Sequence, residues 1–249
     1  MVEDWKVSLL SVVELKKSFG GLCAVAQLSF DLQEGEILGL IGPNGAGKTT
    51  VFDCLTGFLT IDHGQVSLRG RSIRGMRPHQ ICALGMARTF QIVRPFLNVS
   101  VLDNVMVGAM LRERDTASAK RSAQAILEFV GLAAVAHQKA GSLPLAMRKR
   151  LELARAMATR PEILLLDEVM GGLNPTDVDD MVRLLKEIHN NGVSILLIEH
   201  VMRGLMALAQ RVVVMNYGRK IAEGAPEQVV RDPQVVEAYL GREFLDAGD

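Results

Sequence analysis

Gly42-Pro43-Asn44-Gly45-Ala46-Gly47-Lys48-Thr49-Thr50 follows a short apolar run, Ile37 to Ile41, and opens a helical stretch reaching about Thr56. The spacing is G-x-x-x-x-G-K-[ST], with a buried strand before it and a helix after it. A triphosphate needs several donors converging on it. Backbone N–H groups of a glycine-rich turn can all point inward, because no Cβ blocks the ligand's approach. The helix that follows adds the positive end of its dipole at the same place. Lys48 brings a full charge to the β and γ phosphates, Thr49 a hydroxyl for Mg²⁺, and Thr50 a donor for a phosphate oxygen. Gly42, Pro43, Asn44, Gly45, Ala46, Gly47, Lys48, Thr49 and Thr50 are therefore expected to bind a nucleoside triphosphate.

Outward from this loop the pattern is α/β. Val12 to Phe19 and Val25 to Leu32 alternate loosely and carry β-branched residues, which predicts strands of an N-terminal antiparallel β lobe. Asp62 to Gln65 reads as a turn, and Gln65 to Leu68 with Ser72-Ile73 as a hairpin. Between about 91 and 160 the character becomes helical. Ala119, Ala123, Ile126, Leu127 and Val130 keep a helical period, and Leu151 to Ala158 continue as helix until Pro161. Buried runs return at Ile163 to Leu166, Ser194 to Ile198 and Val212 to Met215, with a helix over Asp177 to Asn190. Apolar strands alternating with helices argue for a mostly parallel sheet. Gly218 to Ala222 suits a short closing hairpin; Pro226 to Val230 and Pro233 to Leu240 suit small helices. The expectation is one domain over 1–249. Its core and β lobe would come from about 1–90 and 161–249, and an inserted α-helical lobe from about 91–160.

Composition narrows the partners. The chain has 249 residues, with 28 Lys plus Arg against 28 Asp plus Glu, so no global field draws it to nucleic acid or anionic lipid. Cys23, Cys54 and Cys82 form no metal spacing and suit free buried thiols in a reducing compartment. The opening MVEDWKVSLL is acidic and mixed rather than a secretory leader, and no window has the ~18 uninterrupted apolar residues of a membrane helix. A soluble, cytoplasmic chain is expected, with any membrane role supplied by a partner.

A second motif stands at Ile163-Leu164-Leu165-Leu166-Asp167-Glu168, four apolar residues and then two acids. A carboxylate at such a strand end can hold Mg²⁺, which suits Asp167. Glu168 points to the other side of the strand, where it can polarise a water for in-line attack on the γ phosphate.

Together these residues resemble something specific. The order of glycine-rich loop, lone Gln91, helical insertion, apolar-Asp-Glu and His200 at a strand end is similar to the ATPase domain of ABC transporters, over almost the whole chain. The fold implied is a P-loop NTPase core. GMARTFQ (Gly85 to Gln91), GLNP (Gly172 to Pro175), LLIEH (Leu196 to His200) and AYLG (Ala238 to Gly241) resemble the ATPases of branched-chain or hydrophobic amino-acid importers. The resemblance implies further roles. Gln91 would ligate Mg²⁺ and orient water, and His200 would contact the γ phosphate and hold Glu168. Phe19 would stack on adenine, although its residue type suits a core position equally. Asn174 would lie in a loop crossing a dimer interface.

The resemblance also implies a mechanism. Two such ATPase subunits, identical or different, sandwich two ATP molecules head to tail. Closure moves an integral membrane permease fed by a periplasmic solute-binding protein, and Gln91 with Ile92 to Asp103 would meet that permease. The implied location is peripheral, at the cytoplasmic face of the inner membrane. One motif departs. Leu143-Pro144-Leu145-Ala146-Met147 replaces the family's Leu-Ser-Gly-Gly-Gln, losing a hydroxyl and the glycines' room. Arg148, Lys149 or helix N-terminal amides are the candidates to replace those contacts; otherwise the pair is asymmetric, with one weaker site. Val169 and Val201 replace the usual proline and aspartate without removing a catalytic side chain.

Other classes fit less well. A GTPase would carry an Asn-Lys-x-Asp motif, which this sequence lacks, and a kinase would not account for Gln91 and His200. A soluble ABC-type ATPase or a regulatory ATP binder are the remaining alternatives. The solute is chosen by proteins other than this chain.

Overall fold

The computed structural model describes residues 8–240; the opening stretch read above for a leader, through Val7, and Gly241 of the AYLG run lie outside the described residues. Two compact units emerge. One is formed by the chain up to 78 and from 194 onward, the other by residues 79–193. The first begins with β1 (Leu10–Phe19), β2 (Leu22–Leu32), β3 (Ile37–Ile41), α1 (Lys48–Leu55), β4 (His63–Leu68) and β5 (Arg71–Ser72). The chain then builds the second from α2 (Pro78–Ala83), β6 (Met86–Arg88), α3 (Val101–Ala109), α4 (Thr116–Phe129), α5 (Leu145–Met157), β7 (Ile163–Asp167) and α6 (Pro175–Asn190). It returns to the first with β8 (Ser194–Ile198), α7 (Met202–Leu208), β9 (Arg211–Asn216), β10 (Arg219–Gly224), α8 (Pro226–Val229) and α9 (Pro233–Leu240).

In the first unit an antiparallel sheet runs in the order β2-β1-β4-β5. This is the expected N-terminal β lobe. Glu14 takes a positive φ of 50° where the β1 register slips between Val12 and Leu15. Such a bulge bends and twists the strand. The other sheet of this unit places β3 parallel to β8 on one side and to β9 on the other. β10 pairs antiparallel to β9, closing the hairpin expected near Gly218. Every residue of β3 and β8 is buried, as strands covered on both faces must be. Continuous apolar runs such as Ile37 to Ile41 follow from that double burial.

The second unit holds the parallel pair β6 and β7 and most of the helix. Three of its helices, α3, α4 and α6, start on side-chain caps. Ser100 Oγ accepts from Asp103 N at 3.0 Å, Asp115 Oδ1 from Ser118 N at 2.8 Å, and Asn174 Oδ1 from Asp177 N at 2.9 Å. Each cap satisfies a donor that the helix cannot satisfy itself. α2, α3, α7 and β6 are elements that periodicity did not announce. α3 buries Val101, Leu102, Val105, Met106 and Ala109 but also exposes Val107, so apolar residues in the sequence mark no single face. The cysteine expectation needs correction. All three thiols are free, but Cys23 is exposed on β2, whereas burial pushes the Cys54 thiol up to about 11.

α3 crosses α5 at Gly108. A Cβ there would lie 2.5 Å from the Arg155 carbonyl oxygen and 3.0 Å from Ala158 Cβ. Neither is the movable end of a long side chain. Gly108→Ala is expected to destabilise the protein by about 1–3 kcal/mol. The check is the midpoint of urea unfolding; an unchanged midpoint would mean the two helices separate without cost.

Candidate active site

The first unit carries the phosphate loop. Gly42 has φ 151° and Gly47 φ 102°. A Cβ on Gly42 would lie 2.1 Å from the Met215 carbonyl oxygen, and one on Gly47 2.3 Å from that of Ala24. The loop is thus threaded between two strands at a distance only glycine permits. Ala46 N donates to Pro43 O at 3.1 Å, and Gly218 N to Ala46 O at 3.0 Å, which fixes the turn from both sides. Lys48 is buried, and its Nζ donates to Gly42 O at 2.6 Å and Pro43 O at 2.9 Å. The lysine therefore closes the loop on itself. The N-cap of α1 is Gly47, which has no side chain, so the helix's first amides are not taken up by a capping group. Asn44, Gly45 and Thr49 are exposed, with Thr50 half-buried beside them.

Three further groups of this unit were read from the sequence or missed by it. Phe19 ends β1 with 47% of its surface exposed, and Lys17 Nζ lies 5.5 Å from its ring centroid. It is not a core phenylalanine. His200 is exposed two residues beyond β8 and shares a cavity of about 400 Å³ with Ile41, Glu199, Met202, Val235 and Tyr239. Ile41 immediately precedes the phosphate loop, so the fold brings His200 to that end of β3. Tyr239, from α9, hydrogen-bonds the backbone of Gly42, while burial raises its hydroxyl pKa. Only the AYLG run hinted at it.

The second unit carries the acids. Asp167, 2% exposed, ends the buried strand β7, and Arg88 Nη2 from β6 meets its Oδ2 at 2.8 Å. Thr89 Oγ1 accepts from Asp167 N at 3.3 Å. Glu168 has φ 50°, a left-handed conformation that costs a residue with a Cβ roughly 1–2 kcal/mol. Its carbonyl accepts from Lys149 Nζ at 2.8 Å and from Gly171 N at 3.1 Å. Its Oε2 accepts from Gln91 Nε2 at 2.7 Å. Gln91 and Glu168, 77 residues apart, are thus brought into direct contact. Gln91 itself is exposed on a loop held by α5. Glu152 Oε1 accepts from Phe90 N at 3.3 Å, and Arg155 Nη1 donates to Arg94 O at 3.0 Å.

The departed motif lies at the start of α5. Pro144 is the N-cap residue and gives no side-chain cap; Leu145 is 44% and Met147 37% exposed. Arg148 Nε donates to Leu143 O at 2.6 Å, and Lys149 is buried against the Glu168 carbonyl. Arg148 Nε and Lys149 Nζ are thus both bonded to main-chain carbonyls of their own unit. Asn174 caps α6.

A glycine loop between a buried parallel strand and a helix, with an Asp-Glu pair ending another buried strand, defines a P-loop ATPase. The family model described as ABC transporter matches residues 25–171, and that of the branched-chain amino acid ATP-binding cassette transporter matches residues 219–244. The high-affinity branched-chain amino acid transport ATP-binding protein LivG of Salmonella typhimurium is 42% identical over 249 residues, covering 94% of this chain and 98% of LivG. BraF of Pseudomonas aeruginosa, with the same description, is 40% identical over 250 residues, covering 94% of this chain and 98% of BraF. Crystal structures of an ATP-binding cassette in its ADP conformation and of a nucleotide-free one superpose with TM-scores of 0.86 and 0.87, each at 30% identity. They cover 94% of this chain, and 99% and 100% of those chains. The chain belongs to the ABC transporter family, as one of its ATP-binding, ATP-hydrolysing subunits.

Burial raises the Glu152 carboxyl to about 7, opposed by hydrogen bonds from Phe90 and Arg94 and by the nearby Arg155 and Lys149 charges. A carboxyl whose folded pKa lies above its unfolded value holds its proton more tightly when folded. Stability therefore falls as pH rises from about 4.5 through about 7. Glu152→Gln keeps an acceptor for the Phe90 amide without the charge. It is expected to be more stable than the parent above pH 7 by at most about 3 kcal/mol, with the difference vanishing near pH 4. Thermal midpoints across that range test it; a constant difference would mean Glu152 does not titrate in this window.

Proposed function

We propose that this chain is the energy-supplying subunit of an importer for branched-chain amino acids or a related small solute. The reading rests on 42% identity to LivG across nearly both full lengths, joined to the 2.7 Å contact of Gln91 with Glu168. The chain is read as one ABC ATPase domain, residues 1–249, with an inserted helical lobe at about 91–160. No described helix is long and apolar enough to cross a membrane, so membrane permease subunits would carry the solute. The chain sits peripherally at the cytoplasmic face of the inner membrane. It pairs with a second ATPase subunit, and a periplasmic solute-binding protein delivers the cargo to the permease.

Each residue then has a task. The loop amides from Gly42 to Gly47, Lys48 and Thr50 hold the phosphates, and Phe19 offers its exposed ring to adenine. Glu168 takes the proton of the attacking water, and His200 contacts the γ phosphate. Gln91 holds the Glu168 carboxylate until the helical lobe moves. A divalent cation would accompany the bound phosphates. Among the described residues no group of three or more His, Cys, Asp and Glu side chains could hold a metal alone. Thr49, Asp167 and Gln91 offer a hydroxyl, a carboxylate and an amide, all hard oxygen donors. Few protein ligands completed by phosphate oxygens is the pattern that suits Mg²⁺. Bound there, the ion would neutralise charge on the β and γ phosphates.

Leu143 to Met147 make the subunit asymmetric in what it gives its partner. Separate Glu168→Gln substitution here and at the matching residue of the partner should affect turnover unequally; equal losses would remove the asymmetry. Lys48→Ala is expected to abolish ATP hydrolysis by the reconstituted transporter. Glu168→Gln should lower it by about 10²–10⁴-fold while nucleotide binding persists. Leucine, isoleucine or valine with the binding protein should stimulate hydrolysis. Stimulation by an amide or urea alone would change the solute class. Lys48-dependent turnover that no permease alters would favour a soluble ATPase.

A further inference from the structure

α5 turns one polar stripe toward the backbone around it. Lys149, Glu152 and Arg155 follow each other at three-residue spacing, which keeps them on one helix face. Each closes on a different piece of main chain. Lys149 Nζ donates to Glu168 O at 2.8 Å, Glu152 Oε1 accepts from Phe90 N at 3.3 Å, and Arg155 Nη1 donates to Arg94 O at 3.0 Å. The Arg155 guanidinium also lies 4.9 Å from the Phe96 ring centroid. The strand end carrying Glu168 and the loop carrying Gln91 therefore hang from the same helix. Between these anchors the two side chains meet at 2.7 Å.

The Lys149 contact is the one that needs a reason. Lys149 is buried, and burying an ammonium costs free energy that an apolar side chain of similar length would not incur. What it meets is the carbonyl of Glu168, whose φ of 50° is disfavoured for any residue with a Cβ. A charge-assisted hydrogen bond is the strong kind, and here it acts on the peptide whose torsion aims the carboxylate. The weaker donor, Gly171 N at 3.1 Å, only closes the turn that follows.

We propose that Lys149 is a positioning residue for ATP hydrolysis: its ammonium pins the Glu168 peptide in the left-handed conformation and so fixes the carboxylate. The inference rests on the reading of Glu168 as the group that accepts the proton of the attacking water. Lys149 also stands one helical turn after Leu145, in the departed segment. A shift at the start of α5 is therefore carried directly to the Glu168 peptide.

The test compares the parent, Lys149→Met and Lys149→Arg, each in the assembled transporter for turnover and as purified chain for hydrogen exchange. Lys149→Met is expected to lower kcat by about 10–100-fold while KM and equilibrium affinity for ATP stay within about twofold. Lys149→Arg, which keeps a charged donor, should recover most of kcat. The Gly171 amide, which donates to the same carbonyl, should exchange faster in Lys149→Met, with exchange in β1 to β5 unchanged. Turnover within about twofold of the parent would overturn the proposal, as would lost turnover with unchanged exchange over residues 167–173. If the parent shows no Lys48-dependent turnover, the ATPase reading fails instead. The exchange comparison then decides alone: faster Gly171 exchange supports the pinning and unchanged exchange overturns it. Should Lys149→Met not fold, Lys149→Gln, whose amide is too short to span the gap, is read by the same criteria.

Discussion

A triphosphate carries more charge than one lysine can neutralise, so main-chain amides must converge on it. That requires a chain path with no side chain on its inner wall. Here the path is set by two close approaches. Gly42 passes the Met215 carbonyl and Gly47 that of Ala24, each at a distance that excludes any Cβ. Met215 belongs to β9 and Ala24 to β2, so the loop is gripped by both sheets of its unit. Lys48 then folds back on the Gly42 and Pro43 carbonyls and Tyr239 meets Gly42 from α9. Preorganisation of this kind means little rearrangement is needed when phosphate arrives.

The second unit handles a different constraint, that of acids at the end of a strand buried along its whole length. Asp167 is paired with Arg88 at 2.8 Å, and Glu168, half-buried, takes a left-handed backbone. Buried polar groups survive only when each has a partner. α5 supplies several of them through Lys149, Glu152 and Arg155. The helix that presents the altered Leu145 to Met147 segment is also the scaffold of the hydrolytic side, so the two features cannot vary independently.

Much of this was legible in the sequence, for physical reasons that differ by element. β3 and β8 have the bounds read from their apolar runs, Ile37–Ile41 and Ser194–Ile198, because double burial leaves no polar residue to blur the ends. The phosphate loop is local, so its residues and its chemistry sit in one stretch. α3 was not legible, since the exposed Val107 blurs the apolar period of its buried face. Of the acidic site, Asp167 and Glu168 announced themselves, and Gln91 needed a family likeness. Lys149 was legible only as a candidate to replace the lost signature contacts; nothing in its run of charged neighbours, Arg148 and Arg150, ties it to the Glu168 carbonyl, which only the three-dimensional path brings to it. Phe19 is of a residue type that suits a core position equally, and its exposed ring removes that reading alone.

The strand that feeds the phosphate loop has both its neighbours far downstream. β3 is flanked by β8 and β9, which begin at Ser194 and Arg211. The unit spanning 79–193, by contrast, is a single uninterrupted stretch of chain. During synthesis, then, the segment carrying the acids can compact while the ribosome is still at work. The loop at Gly42, though translated much earlier, has to wait for strands that emerge near the end. Nascent chains consequently pass through a long interval with β3 lacking both partners, and a stall or truncation before about Asn216 leaves a product unable to frame the nucleotide loop.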